Sequence, residues 1–317
     1  MKRLTGLFAA PFTAFNESGE IDLDIIGSQF SALSANAVSG AIVCGKTGET
    51  SSLTNIERMA VLEEWCKAAR TTPEFDVIAH VGHTSLKDCV ELTRHAVEAG
   101  ADVIATLPPY YFRPESVGDL LDFFSEIAAA AANLPFYYYH MPSMTGVNFD
   151  VFDILSELNG RIPNFAGVKY TYEDLYDLAR CMDLSNGRYD ILCGRDEILL
   201  ACLALGTTGA VGSTYNYIAP VYIKMIAAFE AGDLVSARQM QKVSRDVIAV
   251  MVKYGGLPAA KQIMKLVGLN CGDARTPLAK LSADAGESMA QELKAAGFYE
   301  YCSVPPSTAA SAHISEA

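Results

Sequence analysis

Positive charge is scarce in this chain. Lys and Arg number 24 against 37 Asp and Glu, a formal charge of −13, and no basic block interrupts the balance. A sequence-independent nucleic-acid surface needs such a block to displace counterions from phosphates, so that class of partner is excluded. Charge of either sign is thin, at 19% of residues against 50% apolar, which excludes a chain too polar to bury a core. Long hydrophobic runs are missing as well, and none approaches the ~18–20 residues of a membrane-spanning helix. Cysteine occurs at 44, 66, 89, 181, 193, 202, 271 and 302, but never as CxxC. Most of these lie in apolar runs, where a free thiol behaves as a small hydrophobe. A structural zinc or a disulfide framework is therefore unsupported, and a reducing cytoplasm is the expected compartment. Any anionic ligand must be held by a local device and not by the global field.

What is present is alternation. Short segments rich in β-branched or aromatic residues, as expected of strands buried on both faces, fall at Gly6–Phe12, Gly40–Cys44, Asp76–Val81, Asp102–Leu107, Phe136–His140, Ala166–Tyr170, Tyr189–Cys193 and Thr208–Gly212. Segments of helical period separate them, such as Ile56–Ala69, Leu86–Ala99, Leu120–Ala132 and Leu175–Met182. Met1-Lys2-Arg3 ahead of an apolar stretch invites a signal-peptide reading, but Pro11 interrupts it and the pattern fits a first strand better. Strand–helix units repeated about eight times predict an α/β fold, a (β/α)8 TIM barrel over residues 1–232. Amphipathic stretches at Leu234–Tyr254, Ala259–Val267 and Ala283–Ala296 then predict a helical extension over 233–304. Residues 305–317 are small and polar, with little to bury, and are expected to be a disordered tail.

In such a barrel the chemistry sits where strands end. Gly40–Thr47 formally satisfies the G-x-x-x-x-G-K-[ST] phosphate-loop pattern. Its four middle residues are apolar and strand-like, and the next helix starts only near Asn55, so nucleotide binding is rejected. Lys169 lies late in an apolar strand, where a lysine either snorkels out or is desolvated into an amine able to form Schiff bases. Tyr137, Tyr138 and Tyr139 must alternate across their strand. Tyr139, nearest its end, is either a packing residue or the acid–base partner of that lysine. His80 and His83 form HxxH with no third ligand in view, so no metal is expected. Asp196 and Glu197 follow another strand end, where acidic residues also suit a helix N-terminus. Gly209–Tyr215 ends the eighth strand with small residues that admit a close ligand.

Taken in order, Gly45-Lys46-Thr47-Gly48-Glu49, Tyr139-His140-Met141-Pro142, Gly167-Val168-Lys169 and Gly212-Ser213-Thr214-Tyr215-Asn216 resemble the N-acetylneuraminate lyase and dihydrodipicolinate synthase superfamily. The resemblance covers all but about the last dozen residues. It implies class I aldolase chemistry on pyruvate without metal or organic cofactor, usually in a homotetramer. It assigns the pyruvate imine to Lys169 and proton transfer at the substrate hydroxyl to Tyr139. Thr47, with Lys46, Gly48 and the backbone N–H groups of their turn, would grip the pyruvate carboxylate. Tyr110 resembles a tyrosine that some members insert from a neighbouring subunit.

Synthase members carry an arginine where this chain has Met144. Thr171, Gly194, Asp196, Glu197, Gly212 and Ser213 instead resemble lyase contacts to sugar hydroxyls. The expected reaction is thus reversible cleavage of N-acetylneuraminate to N-acetylmannosamine and pyruvate. The alternatives are an aldolase or dehydratase acting on another 2-keto-3-deoxy sugar acid, a dihydrodipicolinate synthase, or a non-catalytic sugar-acid-binding protein. Lys46 departs from the pattern, because most members have a hydroxyl residue there. Its ammonium either faces the site, beside the pyruvate carboxylate and Lys169, or turns away to pair with an acid such as Glu49.

Overall fold

In the computed structural model, which describes residues 3–303, eight parallel strands close into a barrel in sequence order. They are β1 (Gly6–Ala9), β2 (Gly40–Val43), β3 (Asp76–His80), β4 (Val103–Thr106), β5 (Phe136–His140), β6 (Phe165–Tyr170), β7 (Asp190–Cys193) and β8 (Gly209–Gly212). Outside them run α1 (Ile26–Ala35), α2 (Asn55–Ala69), α3 (Leu86–Ala99), α4 (Val117–Ala129), α5 (Pro142–Thr145), α6 (Val151–Glu157), α7 (Leu175–Ser185), α8 (Leu199–Ala204) and α9 (Tyr215–Glu230). The helices α10 (Leu234–Lys253), α11 (Leu257–Leu266), α12 (Ala283–Ala295) and α13 (Phe298–Tyr301) follow. The expected tail at 305–317 lies outside the described residues. No described helix is long and apolar enough to cross a membrane.

The strands read as unbroken apolar runs because they have two buried faces. Phe8, Ile42, Ile78, Val103, Leu192 and Val211 fill the barrel interior. Their neighbours Leu7, Ala41, Val77, Ile104, Ile191 and Cys193 pack outward against helices. The same two-residue period sorts the tyrosines of β5. Tyr137 points inward and donates to Asp190 at 2.6 Å. Tyr138 points out, 5.1 Å from the Phe124 ring centroid. Tyr139 returns to the interior.

Most element ends fall within a few residues of the sequence expectation, and proline explains two of the differences. β1 stops at Ala9 instead of Phe12, since Pro11 has no N–H to give the ladder. The eighth barrel helix, which the apolar pattern places near Val221–Ala231, begins at Tyr215, with irregular backbone at Ile218 (φ −136°, ψ 33°). Pro220 would end a regular helix, and here the ladder yields ahead of it instead. On the far side of the strand ends, Gln241 of α10 accepts from Leu200 N at 2.9 Å and donates to Asp196 O at 3.0 Å. The extension is thereby fastened to the loop after β7.

Candidate active site

Gly167 and Lys169 sit two apart on β6 and share its inner face. A side chain at Gly167 would meet Asp190 O at 2.2 Å and the Tyr137 ring at 2.7 Å, so only glycine fits there. Lys169, one layer nearer the strand ends, is 5% exposed and neighbours Tyr139 in register. Its Nζ lies 3.8 Å from the centroid of the Tyr139 ring. Burial lowers the Lys169 pKa to about 7, opposed by the Asp196 carboxylate and assisted by the Lys46 cation. Burial thus favours the free amine near neutral pH, the form that attacks a carbonyl. Burial, then the Asp196 charge, pushes the Tyr139 phenol well above its ordinary range, leaving it a neutral proton carrier.

The turn after β2 is bracketed by two non-glycine residues in the left-handed region, Cys44 and Glu49, both at φ 57°. Each costs about 1–2 kcal/mol, so neighbours must hold them. His80 Nδ1 lies 2.9 Å from Cys44 O and donates to it. The Glu49 carboxylate pairs with Lys261 Nζ at 2.7 Å and accepts from Arg275 N at 2.9 Å. Between these ends Thr47 is buried against the cavity. Gly48 stays in the wall behind it, its carbonyl accepting from Thr13 Oγ1 at 2.7 Å. Lys46 faces the cavity. It does not pair with Glu49, whose carboxylate is already taken by Lys261. Burial lowers its pKa, and the charge of Glu197 partly offsets this.

Opposite stand the loops after β6, β7 and β8. Asp196 accepts from Thr214 Oγ1 at 2.6 Å and from Thr214 N at 3.2 Å. Burial raises its carboxyl to about 6, with Thr214 pulling down and Glu197 pushing up. Thr171 Oγ1 is buried without a hydrogen-bond partner, and the other Asp196 oxygen, Oδ1, makes no well-aligned bond, although the Tyr215 hydroxyl beside the carboxylate also pulls its pKa down. Both rest on glycines: a Cβ on Gly212 would lie 2.0 Å from Asp196 Oδ1, and one on Gly194 2.2 Å from Thr171 Oγ1. Ser213 and Glu197 complete this polar wall. Under-bonded buried oxygens facing a cavity are groups that a ligand's hydroxyls can satisfy.

The cavity holds about 240 Å³ and brings together Lys46, Thr47, Tyr139, Lys169, Thr171, Gly194, Asp196, Glu197, Gly212 and Ser213. Tyr110 is not among them. It lies with Met144 on a second, largely apolar cavity of about 480 Å³ that shares Lys46 and Met141 with the first. The Tyr110 hydroxyl is 3.5 Å from Ser51 Oγ. The two histidines of HxxH are engaged separately: His80 on Cys44, and His83, whose Nδ1 accepts from Ser85 N at 2.9 Å. Sequence reasoning missed the apolar wall given by Ile248 and Met251 of α10 and Leu257 and Ala260 of α11. The only signal for it was the amphipathic period of those helices, which does not say what they cover.

With this geometry in hand, the comparisons with known proteins agree with one another. The profile described as "Dihydrodipicolinate synthetase family" matches residues 3–296. The chain is 41% identical over 307 residues to the N-acetylneuraminate lyase of Mus musculus, covering 96% of each. Among solved structures it is similar to the Proteus mirabilis N-acetylneuraminate lyase, with a TM-score of 0.90 and 37% identity over 94% of this chain and 100% of that one. It is likewise similar to the Aliivibrio salmonicida N-acetylneuraminate lyase (sialic acid aldolase), with a TM-score of 0.90 and 40% identity over 94% and 98%.

Proposed function

The chain belongs to the dihydrodipicolinate synthetase family, and from that premise we propose that it is a lyase cleaving N-acetylneuraminate reversibly to N-acetylmannosamine and pyruvate. The observation that carries the chemistry is Lys169, buried at a strand end, with burial bringing its pKa to about 7. The free amine attacks the 2-oxo carbon and expels water to give an iminium on Lys169. Tyr139, stacked beside the amine, takes the proton from the substrate's C4 hydroxyl while passing its own phenol proton to the substrate carboxylate, as the C3–C4 bond breaks. The iminium accepts the electron pair as an enamine. Protonation of the enamine carbon and hydrolysis of the imine release pyruvate and regenerate the amine. This cycle uses no group beyond the protein's own side chains.

Thr47 and its turn receive the carboxylate, with Lys46 as a neighbouring cation. On the opposite wall Thr171, Gly194, Asp196, Glu197, Gly212 and Ser213 receive the sugar hydroxyls, since the under-bonded oxygens of Thr171 and Asp196 face it. Met144, in the place of the synthase arginine, is 60% exposed and lines the second cavity. It brings no cation to an aldehyde's carboxylate, which favours the lyase branch over the synthase. The exposed tip at Tyr110, Tyr111 and Phe112 supports a homotetramer in which this tip meets another subunit. The eight unpaired cysteines support a cytoplasmic location.

Borohydride reduction in the presence of pyruvate tests the mechanism. It is expected to leave one covalent adduct, on Lys169, with N-acetylmannosamine and pyruvate formed from N-acetylneuraminate in a parallel assay. Lys169→Arg, whose guanidinium stays protonated, is expected to give no adduct and to lose activity by about a thousandfold or more. An adduct in that variant would overturn the assignment of Lys169.

A further inference from the structure

The turn that receives the carboxylate is held from outside the barrel, and this follows from the proposed reaction only in that the ligand is a 2-oxo acid anion. Lys261 of α11 is wholly buried, and the Glu49 side chain facing it is equally so, at 0% and 1% exposed. A charged pair removed from water this fully is rarely retained for stability alone, since apolar packing of the same volume does as well. Its placement suggests another use. Glu49 follows Gly48 directly, is itself left-handed at φ 57°, and its N–H donates to Lys46 O at 3.1 Å to close the turn. The Lys261 ammonium also donates to Asp273 O at 3.1 Å, and its charge lies 4.1 Å from the centroid of the Phe15 ring. Arg275, whose backbone N–H donates to Glu49, spans to Gly19 O at 2.8 Å, to Ser52 O at 2.8 Å and to Glu57. Two separate chain segments, α11 at Lys261 and the loop at Arg275, therefore converge on one carboxylate, two residues from Thr47.

We propose that Lys261 is a positioning residue: by ion-pairing Glu49 it holds the Lys46–Gly48 turn in the conformation that binds the substrate carboxylate, so the helical extension sets 2-oxo acid affinity. The residue touches no reacting atom. It fixes the left-handed Glu49, and with it the direction of the turn's N–H groups and of the Thr47 hydroxyl. A turn released at this end relaxes toward ordinary backbone angles and no longer presents those donors together.

The test is pyruvate-dependent borohydride trapping across a pyruvate series and a pH series, on the full chain. In Lys261→Met the half-saturating pyruvate concentration is expected to rise tenfold or more. The extent of trapping at saturation should stay at the parent value, because neither Lys261 nor Glu49 touches the Lys169 amine, while the pH midpoint moves only as far as the released turn carries the Lys46 charge away from Lys169. Lys261→Arg, which keeps the pair, is expected to restore affinity to within about threefold of the parent. Should Lys261→Met fail to fold, the double variant Glu49→Gln with Lys261→Met removes both buried charges and is expected to show the same loss of affinity. A merely structural pair would lower the folded fraction while leaving half-saturation unchanged. That result in either variant overturns the inference. Absence of any adduct in the parent overturns the proposed function and this inference with it, whereas an adduct in the parent with unmoved variants overturns this inference alone.

Discussion

The consequence of Lys46 is electrostatic. The side chain faces the reaction cavity from the turn that also carries Thr47, and its charge helps to depress the Lys169 pKa. Like charges in one cavity disfavour protonation of the more buried partner, so Lys46 keeps more of Lys169 as free amine. The same ammonium stands at the exposed mouth of the cavity, where its attraction for a substrate carboxylate is screened by water and worth about 1 kcal/mol or less. Lys46→Ser restores a hydroxyl and removes both effects. Pyruvate half-saturation in trapping should rise by up to about fivefold, and the pH midpoint of imine formation should move up. The upward shift should exceed that of Lys261→Met, in which the Lys46 ammonium is still present. If neither quantity moves, Lys46 is a bystander. Its direction was not legible in the sequence, because a flexible four-carbon stem turns to whatever partner is nearest. The apparent partner, Glu49, is claimed by a lysine 212 positions further along the chain.

At the scale of elements, the loop after β7 joins strand chemistry to the extension. Asp196 stands in the turn ahead of α8, bonded to Thr214 after β8, while Gln241 of α10 holds its backbone carbonyl. Asp196→Asn keeps the shape and removes the charge. Cleavage of N-acetylneuraminate should fall about 10- to 100-fold in kcat/KM for loss of a charged acceptor of a substrate hydroxyl. Pyruvate trapping should persist, with its pH midpoint moved down, since the Asp196 carboxylate favours the protonated Lys169. Loss of trapping would show that the carboxylate serves the lysine or the fold and not the sugar. Lys169 and the strands were legible because each is a local anomaly or a local pattern: a charge late in an apolar run, and an apolar run bounded by turns. The oxygens of Asp196 and Thr171 could be named as candidates. That glycines 194 and 212 make room for them could not, since that contact joins neighbouring strands. The wall from α10 and α11 was hidden for the same reason, and so were the strand and helix ends that Pro11 and Pro220 altered.

The whole molecule carries the cost of its own nucleophile. Folding takes Lys169 out of water into an interior otherwise lined by groups such as Ile42, Val103 and Val211, and its pKa falls from 10.5 to about 7. Below pH 7 the amine is protonated in both the folded and the unfolded chain, and the full cost of burying its charge is present. Between pH 7 and 10.5 the unfolded chain holds a proton that the folded one has released, so stability rises with pH. The slope from this group is at most about 1.4 kcal/mol per pH unit. Above 10.5 the amine is neutral in both states and the penalty is gone. Lys169→Met fills a similar volume without a titrating group and lacks this slope. Asp196, deprived of its neighbouring cation in that variant, acts in the same direction: a carboxyl pKa raised further by folding makes the variant lose stability as pH rises through it. The expectation therefore concerns the difference in slope and not the offset. Measured by calorimetry at one protein concentration, the Tm of the parent should climb relative to that of Lys169→Met between pH 7 and pH 9.5. Parallel curves over that interval would mean that Lys169 keeps its ordinary pKa in the folded protein, and that the amine is made nucleophilic only when the substrate binds.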